Sequence, residues 1–146
     1  MKTAMWCCAW LVPVLFGGCA STSALRAVAY TWLDKPEDRV IEVRYRNDSG
    51  RRRCLLPEHW PNSAGAIADA EDSVFLVVGD RRFPMELFNS GYCSGGCSTV
   101  VASGEEISAR IPYKHFDLPD ELIWEPKKLE FSPLAFDCRA ARVKRN

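Results

Sequence analysis

The chain has no apolar run long enough to cross a bilayer. Its longest, from Ala4 to Phe16, falls short of the ~20 residues that a spanning helix needs. It has no internal repeat, no sustained heptad and few long helical patterns, which argues against solenoids and coiled coils. It has no excess charge of either sign, with 19 Lys and Arg against 19 Asp and Glu. Nothing in that balance marks nucleic acid as a partner. Histidine is scarce. His59 and His115 are the only two, so any histidine-based scheme must use one of them. His59 sits in the loop Pro57-Glu58-His59-Trp60-Pro61, and His115 lies between Tyr113-Lys114 and Phe116-Asp117. Both read as surface or locally hydrogen-bonded side chains. Carboxylates group at Asp69-Glu71-Asp72, Glu105-Glu106 and Asp117-Asp120-Glu121. None has the spacing of a calcium loop, and all read as solvated turns. No catalytic residue, metal site or cofactor is expected.

The N-terminus carries the clearest signal. Lys2 supplies a short positive region, the apolar run follows, and Phe16-Gly17-Gly18-Cys19 comes next. The run suits the apolar core of a secretory signal. These residues resemble a bacterial lipobox, in which an apolar residue and two small ones precede a cysteine. Phe16 stands where leucine is usual, with Leu15 one place earlier. The resemblance implies removal of residues 1–18 and acylation of Cys19, and it covers only this end of the chain. Two or three acyl chains give stable anchoring where one is marginal. Ala20 follows the cysteine, not the aspartate that retains many such lipoproteins in the inner membrane. The expected location is thus the bacterial cell envelope, lipid-anchored to the outer membrane and facing the periplasm. The organisation that follows is a signal peptide at 1–18, a lipidated cysteine and tether at 19–26, one domain at 27–139 and a basic tail at 140–146.

The chain has seven cysteines. Cys7 and Cys8 leave with the signal and Cys19 carries lipid, so Cys54, Cys93, Cys97 and Cys138 remain. An even set in an oxidising compartment reads as two disulfides. The favoured pairing is Cys93–Cys97, closing Ser94-Gly95-Gly96, with Cys54–Cys138 tying an early strand to the last one. The competing pairing is Cys54–Cys93 with Cys97–Cys138. Zinc is disfavoured, because only Cys93 and Cys97 have the close spacing of a structural site.

From Ala27 onward the apolar period is near two. Val28–Leu33 reads as a strand. In Val40–Arg46, Ile41, Val43 and Tyr45 share one face and Glu42, Arg44 and Arg46 the other, the mark of a half-buried antiparallel strand. Asn47-Asp48-Ser49-Gly50 is a turn signal, with Arg51–Leu56 expected to return from it as a hairpin. Residues 57–65 read as a loop and 66–72 as a short helical turn. Val74–Val78 reads as a central strand turning at Gly79-Asp80 into Arg81–Glu86, where Pro84 places the return at an edge. Thr99–Ala102, Ile107–Ile111, Lys127–Phe131 and Leu134–Cys138 complete the set, and residues 113–126 form a proline-punctuated connection. About seven short strands separated by turn signals predict an all-β fold, an antiparallel β-sandwich. The layout resembles the immunoglobulin-like sandwiches of bacterial envelope proteins in architecture, without a diagnostic motif.

Two features invite a functional reading. Arg44, Arg46, Arg51, Arg52 and Arg53 would crowd one face or edge of the expected hairpin. The plain reading is an edge guarded by charge. The functional one is a docking patch for anions or an acidic protein partner, which guanidinium groups bind bidentately. Trp60, in its proline-rich loop, is either a lid over the core or an exposed interface anchor. Ser94-Gly95-Gly96 resembles the nucleophile segment of chymotrypsin-like proteases, but Cys93 replaces their aspartate and the chain is too short for their two barrels. The expectation is a lipid-anchored, non-enzymatic protein-binding module, either an immunity or inhibitor protein or an accessory subunit of an envelope complex. The alternatives are a surface-exposed adhesin or glycan binder using Trp60, and a small periplasmic hydrolase using His59 or His115.

Overall fold

The computed structural model describes residues 24–68, 70, 72–86 and 98–138. The signal segment, Cys19, the Cys93–Cys97 pair and the basic tail lie outside the described residues.

The described chain is all-β, with ten strands in three antiparallel sheets and no α-helix. Strand β3 (Val40–Arg46) is the clearest product of the sequence pattern. Ile41, Val43 and Tyr45 are buried on its inner face, while Arg44 and Arg46 are exposed on the other. It lies between β2 (Thr31–Lys35) and β8 (Glu106–Pro112). The register with β8 runs unbroken from Val40 opposite Pro112 to Arg46 opposite Glu106.

The second sheet takes its strands from distant parts of the chain. Its order is β1 (Arg26–Ala27), β10 (Leu134–Asp137), β4 (Arg53–Leu55) and β7 (Thr99–Val101). The third places β5 (Phe75–Val78) between β6 (Arg81–Pro84) and β9 (Lys127–Glu130). As its apolar sequence predicts, β5 is central; it turns at Gly79-Asp80 into β6, and the proline-ended β6 is an edge.

Three local expectations are corrected. Arg51–Leu56 does not return along β3 as a hairpin, because β4 pairs with β10 and β7 in another sheet. The reason is Asn47, which is fully buried although polar. Its side-chain amide donates to the carbonyls of Arg51, Val101 and Ala102, and its Oδ1 accepts from the Ser49 backbone and hydroxyl. A turn sequence that looks like a hairpin is therefore a corner that carries the chain from one sheet to the next. The strand expected from Val28 is split. The Val28 N–H donates to the Pro133 carbonyl alongside β10, and β2 begins only at Thr31. The described part of 66–72 is not helical. Ala66, Ile67 and Ala70 are buried in irregular chain ahead of β5.

All three sheets contribute to one core, which includes Ile41 and Val43 from β3, Leu55 from β4, Leu76 from β5, Val101 from β7, Ile111 from β8, Leu129 from β9 and Ala135 from β10. Cys54 and Cys138 are joined by a disulfide that links β4 to the residue after β10, across 84 positions of sequence. Burial of this apolar set at about 25 cal/mol per Å2 is the main stabilising term.

Candidate protein-docking surface

The five arginines do not form one patch. Arg44 and Arg46 lie on the outer face of β3, whereas Arg51, Arg52 and Arg53 lead into β4 of another sheet. Four of them are also paired with the chain's own carboxylates. Arg44 Nη2 lies 2.5 Å from Glu42, Arg46 Nε 3.0 Å from Asp48, and Arg53 Nη1 2.6 Å from Asp137, which Arg51 also approaches at 3.5 Å. Arg52 alone of the five has no carboxylate partner among the described residues. Guanidinium groups already engaged in this way have less to offer an external anion.

Glu42 is the counter-charge that holds the outer face of β3. Although on the strand's polar side, it is buried between Lys35 of β2 and Arg44, both of which donate to its carboxylate. The Lys35 hydrogen bond, reinforced by that of Arg44, holds its carboxyl below the usual glutamate range.

Trp60 is a core residue, not a surface anchor. It is 4% exposed and packs between Tyr45 and Phe131, with ring centroids 6.2 and 6.5 Å away. Its loop is bent onto β8 by Asn62, whose Oδ1 accepts from the N–H groups of Ala64 and Ala66. Gly65 has φ +78°, and a Cβ there would lie 2.2 Å from the Arg110 carbonyl oxygen. The loop closes over the core in the manner of a lid. His115 meets the same loop, its Nε2 lying 3.1 Å from the Ala64 carbonyl oxygen. His59 is half-buried, and its backbone N–H donates to Leu56. Among the described residues, no three or more His, Cys, Asp or Glu side chains are grouped to hold a metal.

The aromatic side chain that does face solvent is one that sequence reasoning passed over. Trp124 is 73% exposed, more than any other large apolar residue among those described. It lies in the connection between β8 and β9, directly after a 3-10 turn at Asp120–Leu122. Its neighbour Ile123 is buried in the core. The loop is held from beneath by Lys127. The Lys127 side chain is wholly buried, and its ammonium donates to the carbonyls of Ile123 and Glu125, the residues on either side of Trp124. The same ammonium donates to the Asp34 carboxylate of β2 at 3.1 Å and lies 5.0 Å from the centre of the Tyr113 ring. Tyr113 in turn donates its hydroxyl hydrogen to Asp34. Burial, then this bond to a carboxylate, keeps the phenol protonated far above its ordinary range.

A second tie joins this end together. Arg39 Nη1 lies 2.9 Å from Asp120 Oδ1, linking the 3-10 turn at Pro36–Asp38 to the one before Trp124. Arg39 adopts a left-handed backbone, φ 53°, as it closes the turn into β3. Glu37, Asp38, Asp120, Glu121 and Glu125 are all exposed. Leu33, next to Asp34 on β2, is also exposed, but on the opposite face, where it lies across from Glu42.

The arrangement is thus an exposed indole on a loop whose flanking carbonyls are clamped by a buried cation, within a set of exposed carboxylates. A large, rigid aromatic of this kind is the commonest anchor of protein interfaces. The signal available in the sequence was the segment Asp120-Glu121-Leu122-Ile123-Trp124-Glu125-Pro126, where a tryptophan lies between carboxylates in a proline-punctuated connection. No family model, curated protein or solved structure matches the chain.

Proposed function

We propose that the chain is a lipid-tethered, non-enzymatic binding module of the bacterial envelope that engages a protein partner through the surface around Trp124. The observation that carries this reading is the presentation of Trp124. Its indole is 73% exposed while the carbonyls on both sides are fixed by the buried Lys127 ammonium. A loop whose backbone is held in advance loses little backbone entropy on docking, so more of the burial energy of its aromatic appears as affinity. The lipobox-like Phe16-Gly17-Gly18-Cys19 supports the tether, and the Cys54–Cys138 disulfide suits an oxidising compartment. In this reading the three sheets around one core are an elaborated immunoglobulin-like sandwich, with Cys54–Cys138 pinning the last strand.

Three measurements test it. Intact mass of the protein recovered from membranes should show loss of residues 1–18 and acylation of Cys19. Cys19→Ala should move the chain from the detergent phase to the aqueous one. Partner retention from envelope extract at near-native salt should fall sharply for Trp124→Ala and stay unchanged for Arg44→Ala. Equal retention by wild type and Trp124→Ala would remove the proposed surface.

A further inference from the structure

We propose that the partner docked at Trp124 is cationic: an arginine- or lysine-rich protein segment that stacks on the indole and pairs with the carboxylates around it. The inference rests on the binding-module reading and adds the chemistry of what is bound.

The argument is one of charge complementarity. Glu37, Asp38, Glu121 and Glu125 are exposed and make no ion pair among the described residues, while Asp120 is matched by Arg39. The two lysines nearest in sequence are already committed. Lys127 is buried against Asp34, and Lys128 pairs with Glu130 at 3.2 Å. Lys35, at the end of β2, is held by Glu42. Lys127 is withdrawn from solvent, and the exposed Lys128 and Arg39 are paired with Glu130 and Asp120, so the unpaired charge near the exposed indole is negative. An indole face attracts a cation through its ring quadrupole, and arginine is the more frequent partner. Acidic groups beside it strengthen that attraction, steer the encounter and repel anionic competitors. Anionic membrane headgroups are disfavoured for the same reason, although an exposed tryptophan otherwise suits a membrane interface.

The decisive experiment selects ligands from a phage-displayed library of short random peptides on the intact chain, purified in mild detergent with its disulfides formed. The expected result is enrichment of peptides with net positive charge. Binding of a synthetic enriched peptide should weaken about 30-fold for Trp124→Ala, as for an interface anchor. It should also weaken about tenfold when NaCl rises from about 0.05 to about 0.5 M, because exposed pairs are screened. Glu121→Gln combined with Glu125→Gln should reproduce part of the salt effect while leaving the urea midpoint of the fold unchanged. Trp124-dependent enrichment of neutral or acidic peptides would overturn the cationic partner and leave the binding module standing. Enrichment indifferent to Trp124 would overturn both. Binding of the chain to anionic vesicles through Trp124 would replace the protein partner with a membrane. If removing residues 139–146 exposes Trp124 further to acrylamide, the occupant is the chain's own basic tail; if Trp124→Ala dissociates a dimer, the occupant is a second copy; either outcome overturns the proposal.

Discussion

The ammonium of Lys127 lies 3.1 Å from the Asp34 carboxylate, with the lysine side chain wholly withdrawn from solvent. The pair joins β9 to β2 across 93 positions of sequence. It also fixes the two carbonyls that flank Trp124. A buried charge left without its partner is costly, whereas replacing both members of the pair costs far less. Lys127→Met should therefore lower stability by about 3 kcal/mol. Adding Asp34→Asn should recover part of that loss, as coupled residues do. Urea unfolding of the two single variants and the double variant measures the coupling. Strictly additive losses would mean that the pair is incidental to the fold.

Asn47 makes a separate stability claim. Its amide satisfies three backbone carbonyls at the corner between β3 and β4, two of them on the distant segment that holds β7. Replacement by alanine strands the buried Val101 carbonyl and frees the part-buried ones of Arg51 and Ala102, at a cost of about 1–3 kcal/mol for each one left unsatisfied. Asn47→Ala should lose about 3 kcal/mol in all, and amide exchange should speed up at Val101 and Ala102. A loss below about 1 kcal/mol would show that water replaces the amide without difficulty.

These two residues also show where the sequence could be read and where it could not. Alternation in Val40–Arg46 identified β3 to the residue, because a period of two is a local property of one strand. The Gly79-Asp80 hairpin was legible for the same reason. Asn47-Asp48-Ser49-Gly50 has the composition of a hairpin turn, yet the acceptors that make it a corner lie more than 50 residues away. The arginine group failed similarly. Arg51 and Arg53 meet Asp137, a partner brought close only by the pairing of β4 with β10. Trp60 and Trp124 both sit in proline-punctuated loops with a glutamate within two residues, and nothing local tells the buried one from the exposed one. That distinction is made by Lys127 and by the fit of Trp60 between Tyr45 and Phe131.

Acid should act on the outer face of β3 through Glu42. Its carboxyl is held below the ordinary range by the hydrogen bond from Lys35 and then that from Arg44. A folded-state value lower than the unfolded one, about 4.3, adds stability that is fully present above that pH. This contribution is lost as pH falls through the folded value. Glu42→Gln cannot titrate, so the advantage of wild type over this variant should be largest near neutrality and shrink as pH drops below about 4.3. Urea midpoints of both proteins at neutral pH and near pH 3 make the comparison. A gap that stays constant would show that the carboxylate is not stabilised by its two cations.

The Cys54–Cys138 disulfide closes most of the described chain into one loop, with 84 positions between its ends. The entropy removed from the unfolded chain by a loop of that length corresponds to about 4–5 kcal/mol. The two cysteines sit on β4 and just after β10, strands that are already paired, so the folded backbone gains little further restraint from the bond. Its effect should therefore fall on the unfolded state. Cys54→Ser combined with Cys138→Ser should lower the urea midpoint by an amount equivalent to about 4 kcal/mol. The slope of the transition should change as well, because the unlinked chain expands further on unfolding. Preserved exchange protection in β3 and β8 would show that the native sheets survive the loss. Collapse of that protection at neutral pH without denaturant would instead place the bond among the elements that hold the fold together.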